Sequence, residues 1–160
     1  MLLLVALALA ASPLDGAEFR DVKGPLVLDL GTVKATLRAS VSLRVQDLAR
    51  FGPHGEGVGY IDWRWPEGAN TDGLTLTFDR PVSAVSLEAG DWGSDDDGPL
   101  ELTAWDCSHQ LVASVKKNWG VTREWPFETL SVAGHGICQV RYRSGGPFAG
   151  STFITRLRAE

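Results

Sequence analysis

The sequence contains one methionine, two cysteines and three histidines in 160 residues, whereas glycine occurs 18 times and proline eight times. This composition argues against long amphipathic helices and favours strands joined by turns. Basic residues are also in deficit, because 15 lysines and arginines are outnumbered by 20 carboxylates and the net charge is -5. This deficit argues against general nucleic-acid binding, since such binding needs a cationic surface that displaces the counterions of the phosphates.

No apolar run of the sequence is long enough to cross a bilayer as a helix, which takes about 20 residues. The longest run, Leu2–Ala11, has ten residues and is followed by small and turn-forming residues as far as Ala17. This pattern predicts a signal peptide over residues 1–17 and a single exported domain over residues 18–160, secreted, periplasmic or extracellular. No basic residue precedes the run, so a buried N-terminal strand or helix is the alternative.

The short motifs of several enzyme classes are missing from the sequence, including the serine elbow of α/β hydrolases, the zinc-binding helix of metalloproteases and the phosphate-binding loop. The histidines, His54, His109 and His135, lie far apart in glycine-rich or turn segments, which is typical of solvated loops. A hydrolase built on a β-sandwich needs no short motif, because its carboxylates lie on strands. Glu88 and Glu101 are the candidates for that alternative.

Most of the chain consists of short segments in which apolar and polar residues alternate, separated by turn residues, and this pattern predicts β-strands. So many short strands in about 140 residues are typical of a two-sheet antiparallel jelly roll. Gln46–Phe51 is predicted as a short helical turn, and Asp79-Arg80-Pro81 as the end of a strand. The predicted strands are Leu26–Leu30, Val33–Leu37, Val41–Val45, Tyr60–Trp65, Leu74–Phe78, Val82–Glu88, Leu100–Trp105, Leu111–Val115, Phe127–Val132, Ile137–Arg143 and Thr152–Arg158.

The two cysteines, Cys107 and Cys138, are predicted to form a disulfide, because an exported domain meets oxidising conditions. Zinc is an alternative, since His109 and His135 lie close to the cysteines in sequence and zinc prefers thiolate and imidazole ligands. The Cys-x-His spacing is tighter than that of the usual zinc-binding arms. Free thiols are the third interpretation.

Four carboxylates, Asp91, Asp95, Asp96 and Asp97, occur within seven residues of one predicted loop. Crowded carboxylates repel one another, and Ca²⁺, which takes six to eight oxygen ligands, would relieve that repulsion. The spacing is not that of the helix-loop-helix calcium motif. The sequence therefore predicts a calcium site here, with a solvated turn as the alternative.

Charge is unevenly distributed along the chain. Residues 62–106 contain eleven carboxylates and two arginines, a balance of -9, whereas residues 116–158 contain seven cations and two carboxylates, a balance of +5. Ordinary surface charge that pairs across a sandwich would also explain this asymmetry.

Six tryptophans are available for stacking on the apolar faces of sugar rings. Trp92 lies in the acidic loop, and Trp119 and Trp125 flank another loop. Trp105 is predicted to point away from the core, because Leu100, Leu102 and Ala104 occupy the other face of its strand. The predicted ligand-binding residues are accordingly Trp92, Trp105, Trp119 and Trp125, whereas Trp63 and Trp65 are assigned to the core.

The order of motifs resembles that of a known family. Leu74–Leu87 reads as a strand ending in phenylalanine followed by a Pro-Val-x-x-Val strand; Gly90–Asp97 is an Asp-rich loop, and Leu100–Asp106 contains Leu-Thr-Ala-Trp-Asp. Over about residues 60–158 this order resembles the β-sandwich domain of PEP-CTERM-type exported bacterial proteins. The resemblance implies a jelly roll similar to galactose-binding-like domains and carbohydrate-binding modules.

Two features depart from that family. The segment Phe153–Leu157 lacks the Asp-Asn pair of the usual last strand, whose carboxylate can join a cation site. The chain also ends at Glu160 without a Pro-Glu-Pro sorting tail, so the expectation is a released protein that is not anchored to a membrane.

The sequence as a whole predicts an all-β, two-sheet antiparallel sandwich that is secreted and binds carbohydrate or a cell-surface polysaccharide without catalysis, stabilised by Ca²⁺. The alternatives are a small glycan-active hydrolase and a purely structural envelope or matrix protein. The oligomeric state is left open.

Overall fold

A computed structural model describes residues 19–47, 56–61, 72–90, 99–118, 127–145 and 151–160. These residues form ten strands and no helix. Every pairing between neighbouring strands is antiparallel, so the prediction of an all-β antiparallel sandwich is confirmed. The strands are β1 (Phe19–Val22), β2 (Leu26–Asp29), β3 (Lys34–Arg38), β4 (Leu43–Asp47), β5 (Glu56–Ile61), β6 (Leu74–Gly90), β7 (Leu100–Asp106), β8 (Leu111–Lys117), β9 (Glu128–Ser144) and β10 (Ser151–Ala159).

Two strands of 17 residues, β6 and β9, connect the two layers of the fold. The first part of β6 pairs with β3 and with the end of β9, which in turn pairs with β7. The last part of β6 pairs with β10 and with the start of β9. We call the layer β2-β3-β6-β9-β7-β8 the front sheet and the layer β1-β4-β5-β10-β6-β9 the back sheet.

The predicted ends of strands inside β6 and β9 are wrong. Asp79-Arg80-Pro81 does not end a strand, because the β6–β9 pairing resumes at Val82 after a shift of register. Proline has no backbone N–H to donate to the neighbouring strand, and a shift of register at such a position bends a strand without ending it. In β9 the corresponding bend lies between Ala133 and Ile137, where Gly136 adopts a φ of 71°. Each predicted pair of strands is therefore one bent strand.

Three further predictions need correction. No strand was predicted at the position of β1. Gln46 and Asp47 were predicted to begin a helical turn, but they continue β4, because Gln46 pairs with Phe19 and Asp47 with Glu56. Residues 48–51 lie outside the described residues. Leu111, predicted on one face with Ala113 and Val115, is 66% exposed. A bulge after Ala104 pairs Leu111 with Trp105 and turns it away from the core.

The core lies between the two sheets and consists of the inward residues of the alternating pattern. Its largest fully buried side chain is Tyr142 of the front sheet. The hydroxyl of Tyr142 hydrogen-bonds Thr152 Oγ1 of the back sheet at 2.8 Å. This contact joins the two layers. None of the described segments is a helix that could cross a membrane.

Candidate functional site

The outer side of the front sheet, which we call the front face, carries the residues that alternate with the core positions. Val140 and Tyr142 are buried, so Gln139, Arg141 and Arg143 of β9 point to the opposite side. Cross-strand pairing aligns the front-face residues of β8, β7, β9, β6 and β3 in three rows, and at the β2 edge Val27 pairs with Thr36 and Asp29 with Lys34. These rows are Lys116–Glu101–Arg143, Ser114–Thr103–Arg141–Thr75–Arg38 and Leu111–Trp105–Gln139–Thr77–Thr36.

Trp105 lies within the front face, where its half-buried ring is partly accessible. The prediction that it points away from the core is confirmed. The guanidinium carbon of Arg141 lies 5.2 Å from the centroid of the ring, within the range of a cation–π contact. Trp105 also pairs with Gln139 of β9 and with Leu111 of β8. An aromatic surface is thus placed beside a guanidinium and an amide.

Hydrogen bonds order the polar groups next to Trp105. The Thr103 hydroxyl donates to Glu101 Oε1 at 3.0 Å and lies 3.2 Å from Ser114 Oγ. Because the hydroxyl proton of Thr103 is donated to Glu101, the hydroxyl oxygen of Thr103 accepts the hydrogen bond from the Ser114 hydroxyl. Thr103 is only 7% exposed, so this network is held in place at the base of the face, and the Glu101 carboxylate is held with it.

One polar atom of the front face has no partner. The Nε of Arg141 is buried and has no hydrogen-bond partner among the residues that the structure describes. A buried donor that is left unsatisfied costs about 1–3 kcal/mol.

The turn that follows Trp105 is fixed covalently. Cys107 and Cys138 form a disulfide with their Cα atoms 5.1 Å apart. The carboxylate of Asp106 also accepts hydrogen bonds from the backbone N–H groups of Ser108 and Gln110, at 2.8 and 2.9 Å. A disulfide leaves neither sulfur as a thiolate, so the zinc and free-thiol alternatives do not apply. Instead, the bond ties the β7–β8 turn to β9 at the edge of the front face.

The structure brings together only part of the predicted site. Trp105 lies on the front face, but Trp92, Trp119 and Trp125 lie outside the described residues, as do the tryptophans assigned to the core. The predicted calcium ligands Asp91, Asp95, Asp96 and Asp97 also lie outside them. No group of three metal-ligating side chains occurs within the described ranges.

The two carboxylates considered for hydrolysis lie on opposite sides of the sandwich. Glu101 belongs to the front face, whereas Glu88 lies on the outer side of the back sheet, between the buried Leu87 and Ala89. Glu88 forms an ion pair with Arg156 Nη1 at 2.9 Å. The two acids therefore do not form a catalytic pair.

Sequence reasoning missed Gln139, Arg141 and Arg143 as candidate site residues. The signal was present in their alternation with buried residues of β9. It carried no functional meaning until the pairing of β9 with β7 placed Trp105 beside Arg141.

No protein-family model matches the sequence, and no curated protein matches it. Similar solved structures include CsCBM6-3 from Clostridium stercorarium in complex with cellobiose, with a TM-score of 0.43 and 11% identity over 78% of this chain and 85% of that chain. A second is a family 6 carbohydrate-binding module whose binding subsites were dissected, with a TM-score of 0.42, 11% identity and the same coverage. The enzymatically active domain of bacteriophage CBA120 tailspike protein 4 has a TM-score of 0.36 and 15% identity over 89% of this chain but only 19% of that chain.

These TM-scores and identities are too low to transfer a ligand or an activity to this chain. None of the three structures is described as a PEP-CTERM-type protein, so that resemblance stays a prediction.

Proposed function

We propose that this protein is a secreted, non-catalytic module that binds a carbohydrate on its front face. The observation that supports the proposal most directly is the position of Trp105 on the outer side of a sheet, under the Arg141 guanidinium. Aromatic rings contact the apolar face of a sugar, while the neighbouring hydroxyl, amide and guanidinium groups exchange hydrogen bonds with its hydroxyls.

The front face favours binding over hydrolysis. Glycoside hydrolysis uses two carboxyl groups about 5–9 Å apart on either side of the scissile bond. Glu101 is the one carboxylate in the three described rows, and its Oε1 accepts a hydrogen bond from Thr103. Because Glu88 lies on the other side of the sandwich, a second acid is missing from these rows.

Trp105→Ala is expected to weaken the binding of a polysaccharide by roughly thirtyfold in Kd, or about 2 kcal/mol, which is the effect of losing a central aromatic contact. The measurement is affinity electrophoresis against a panel of neutral and acidic polysaccharides, followed by calorimetry on the best ligand. Val27→Ala is the matched control, because Val27 is a large apolar residue that is 60% exposed and lies on the edge strand β2, which β9, β6 and β3 separate from the strand of Trp105. We expect less than a threefold change for this variant.

Two results would contradict the proposal. Wild-type protein that binds none of the polysaccharides in the panel would refute the function. Equal affinities of the wild type and Trp105→Ala would move the binding site away from the front face.

We also propose that the module binds Ca²⁺ through Asp91, Asp95, Asp96 and Asp97, a proposal that rests on the sequence alone. A calcium concentration of a hundred times Kd stabilises a folded protein by about 2.7 kcal/mol. For a domain of this chain length, that stabilisation raises Tm by roughly 5–10 °C. The measurement is thermal unfolding in excess calcium and in chelator. The Asp95→Asn/Asp96→Asn variant should lose the difference, and equal Tm values for the wild type in both conditions would leave the segment as a turn.

A further inference from the structure

The front face is cationic although the whole protein is acidic. Its three rows contain Arg38, Lys116, Arg141 and Arg143 but only one carboxylate, that of Glu101, whereas the net charge of the chain is -5. The end of the face beside β2 adds Lys34 and the carboxylates of Asp29 and Asp79, away from Trp105. The basic part of the sequence is the main source of this charge, because β9 and the end of β8 supply three of the four cations. An anionic ligand would be attracted to this face although the net charge of the protein is negative.

Within the part of the chain that the structure describes, none of these four cations forms an ion pair. The ion pairs there join Arg44 to Asp21, Lys117 to Glu128 and Arg156 to Glu88, whereas Arg141 contacts the Trp105 ring. Lys117 belongs to β8 but alternates with Lys116 and so points to the other side of its sheet. Among the described residues, no ion pair thus competes with a ligand for the cations of the front face.

The spacing of the two arginines on β9 suits a polymer with repeated anionic groups. Arg141 and Arg143 are two residues apart on one face of a strand, which separates their Cα atoms by about 7 Å. Both guanidiniums present several N–H donors that match the oxygens of a carboxylate or a sulfate. Trp105 lies beside Arg141, so a sugar ring that contacts the indole brings its anionic substituent to the guanidinium.

From this arrangement we infer that the front face selects an anionic polysaccharide, whose carboxylate or sulfate groups bind Arg141 and Arg143 while a sugar ring contacts Trp105. This inference rests on the proposed function and specifies its ligand class. Carboxylate and sulfate share the same recognition chemistry, and the experiment distinguishes them.

The experiment compares matched polysaccharide pairs. Polygalacturonate is compared with its fully methyl-esterified form, and dextran sulfate with dextran, so that each pair differs only in charged groups. The variants are Arg141→Gln and Arg143→Gln. Arg158→Gln is the control because Arg158 is exposed on the outer side of the back sheet and its substitution removes the same charge. Thermal unfolding of every variant checks that the fold is intact.

We expect the wild type to bind one charged polymer at least tenfold more tightly than its neutral counterpart. Arg141→Gln and Arg143→Gln should each lower that affinity about tenfold, the usual loss for a charge-assisted hydrogen bond, and Arg158→Gln by less than twofold. Raising the salt concentration should weaken the wild type more than either front-face variant. The charged polymer that is preferred identifies the anionic group as carboxylate or sulfate.

Substitution of Glu101 tests the inference through an expected gain of affinity. Its carboxylate lies between Lys116 and Arg143 in the same row and would repel an anionic ligand. Glu101→Gln keeps an oxygen that can accept from Thr103 and removes the charge, so we expect a twofold to fivefold gain in affinity for the charged polymer. A loss of affinity instead would contradict an anionic ligand at this position.

The two proposals fail in different ways. The wild type could bind the charged and neutral polymers equally well, with binding lost in Trp105→Ala but unchanged in the arginine variants. That result would overturn the inference of an anionic ligand and would leave the proposal of carbohydrate binding intact. Equal losses of affinity for the charged polymer in Arg141→Gln and Arg158→Gln would show that only the net charge of the protein attracts it. That result would also overturn the inference. Absence of binding to all four polymers overturns both proposals.

Discussion

Tyr142→Ala is expected to lower the free energy of unfolding by about 3–5 kcal/mol, the usual cost of truncating a large buried aromatic side chain. Tyr142 is fully buried and is the largest such side chain in the described core. Its ring lies on the inner side of the front sheet, and its hydroxyl reaches Thr152 of the back sheet at 2.8 Å. Truncation therefore opens a cavity between the two layers and removes a hydrogen bond that joins them. The measurement is urea unfolding followed by tryptophan fluorescence.

Tyr142→Phe separates the two contributions. This variant keeps the ring in the core and removes only the hydroxyl, so we expect a loss of about 1 kcal/mol, the net value of one hydrogen bond. A loss in Tyr142→Phe as large as that in Tyr142→Ala would show that polar contacts, not packing, determine stability here. A loss below about 1 kcal/mol in Tyr142→Ala would contradict a core shared by the two sheets.

The double variant Cys107→Ser/Cys138→Ser is expected to lower the free energy of unfolding by about 3–4 kcal/mol. The disulfide joins residues 31 positions apart, and a cross-link of that length restricts the unfolded chain by this amount in the chain-entropy model. Denaturant unfolding of the oxidised wild type and of the double variant measures the effect. The reduced wild type is the matched control and should unfold at the same denaturant concentration as the double variant.

The same bond has a consequence for binding. Cys107 follows Trp105 by two residues, and Cys138 adjoins Gln139, the residue that pairs with Trp105. Loss of the disulfide should therefore loosen this end of the front face and weaken polysaccharide binding even at temperatures where the protein remains folded. Unchanged affinity and unchanged stability in the double variant would show that the β7–β8 turn is held by its hydrogen bonds alone, those accepted by Asp106.

Local pattern predicted the individual strands well and their limits poorly. Alternation identified β2 and β3 because each buries every second residue against a continuous core, and β7 because Leu100, Leu102 and Ala104 face that core. It divided β6 and β9, since Asp79-Arg80-Pro81 and Gly134-His135-Gly136 are typical of turns. A turn and a bend of a strand use the same residues, and only the pairing partners on both sides distinguish them. In β6 the pairing with β9 resumes at Val82 and holds the bent strand together.

The candidate site shows the same division. Except at the bulge that turns Leu111 outward, the sequence by itself determined which residues of the described strands face outward, because the period of two follows from the geometry of the backbone. It also determined the reactive pair Cys107 and Cys138 and the chemical character of Trp105, Arg141 and Arg143. The tertiary structure alone decided that β9 lies beside β7, which places Arg141 over the Trp105 ring and brings Lys116 and Arg143 to either side of Glu101. Strand order depends on long-range packing between segments far apart in the chain, and no local pattern encodes it.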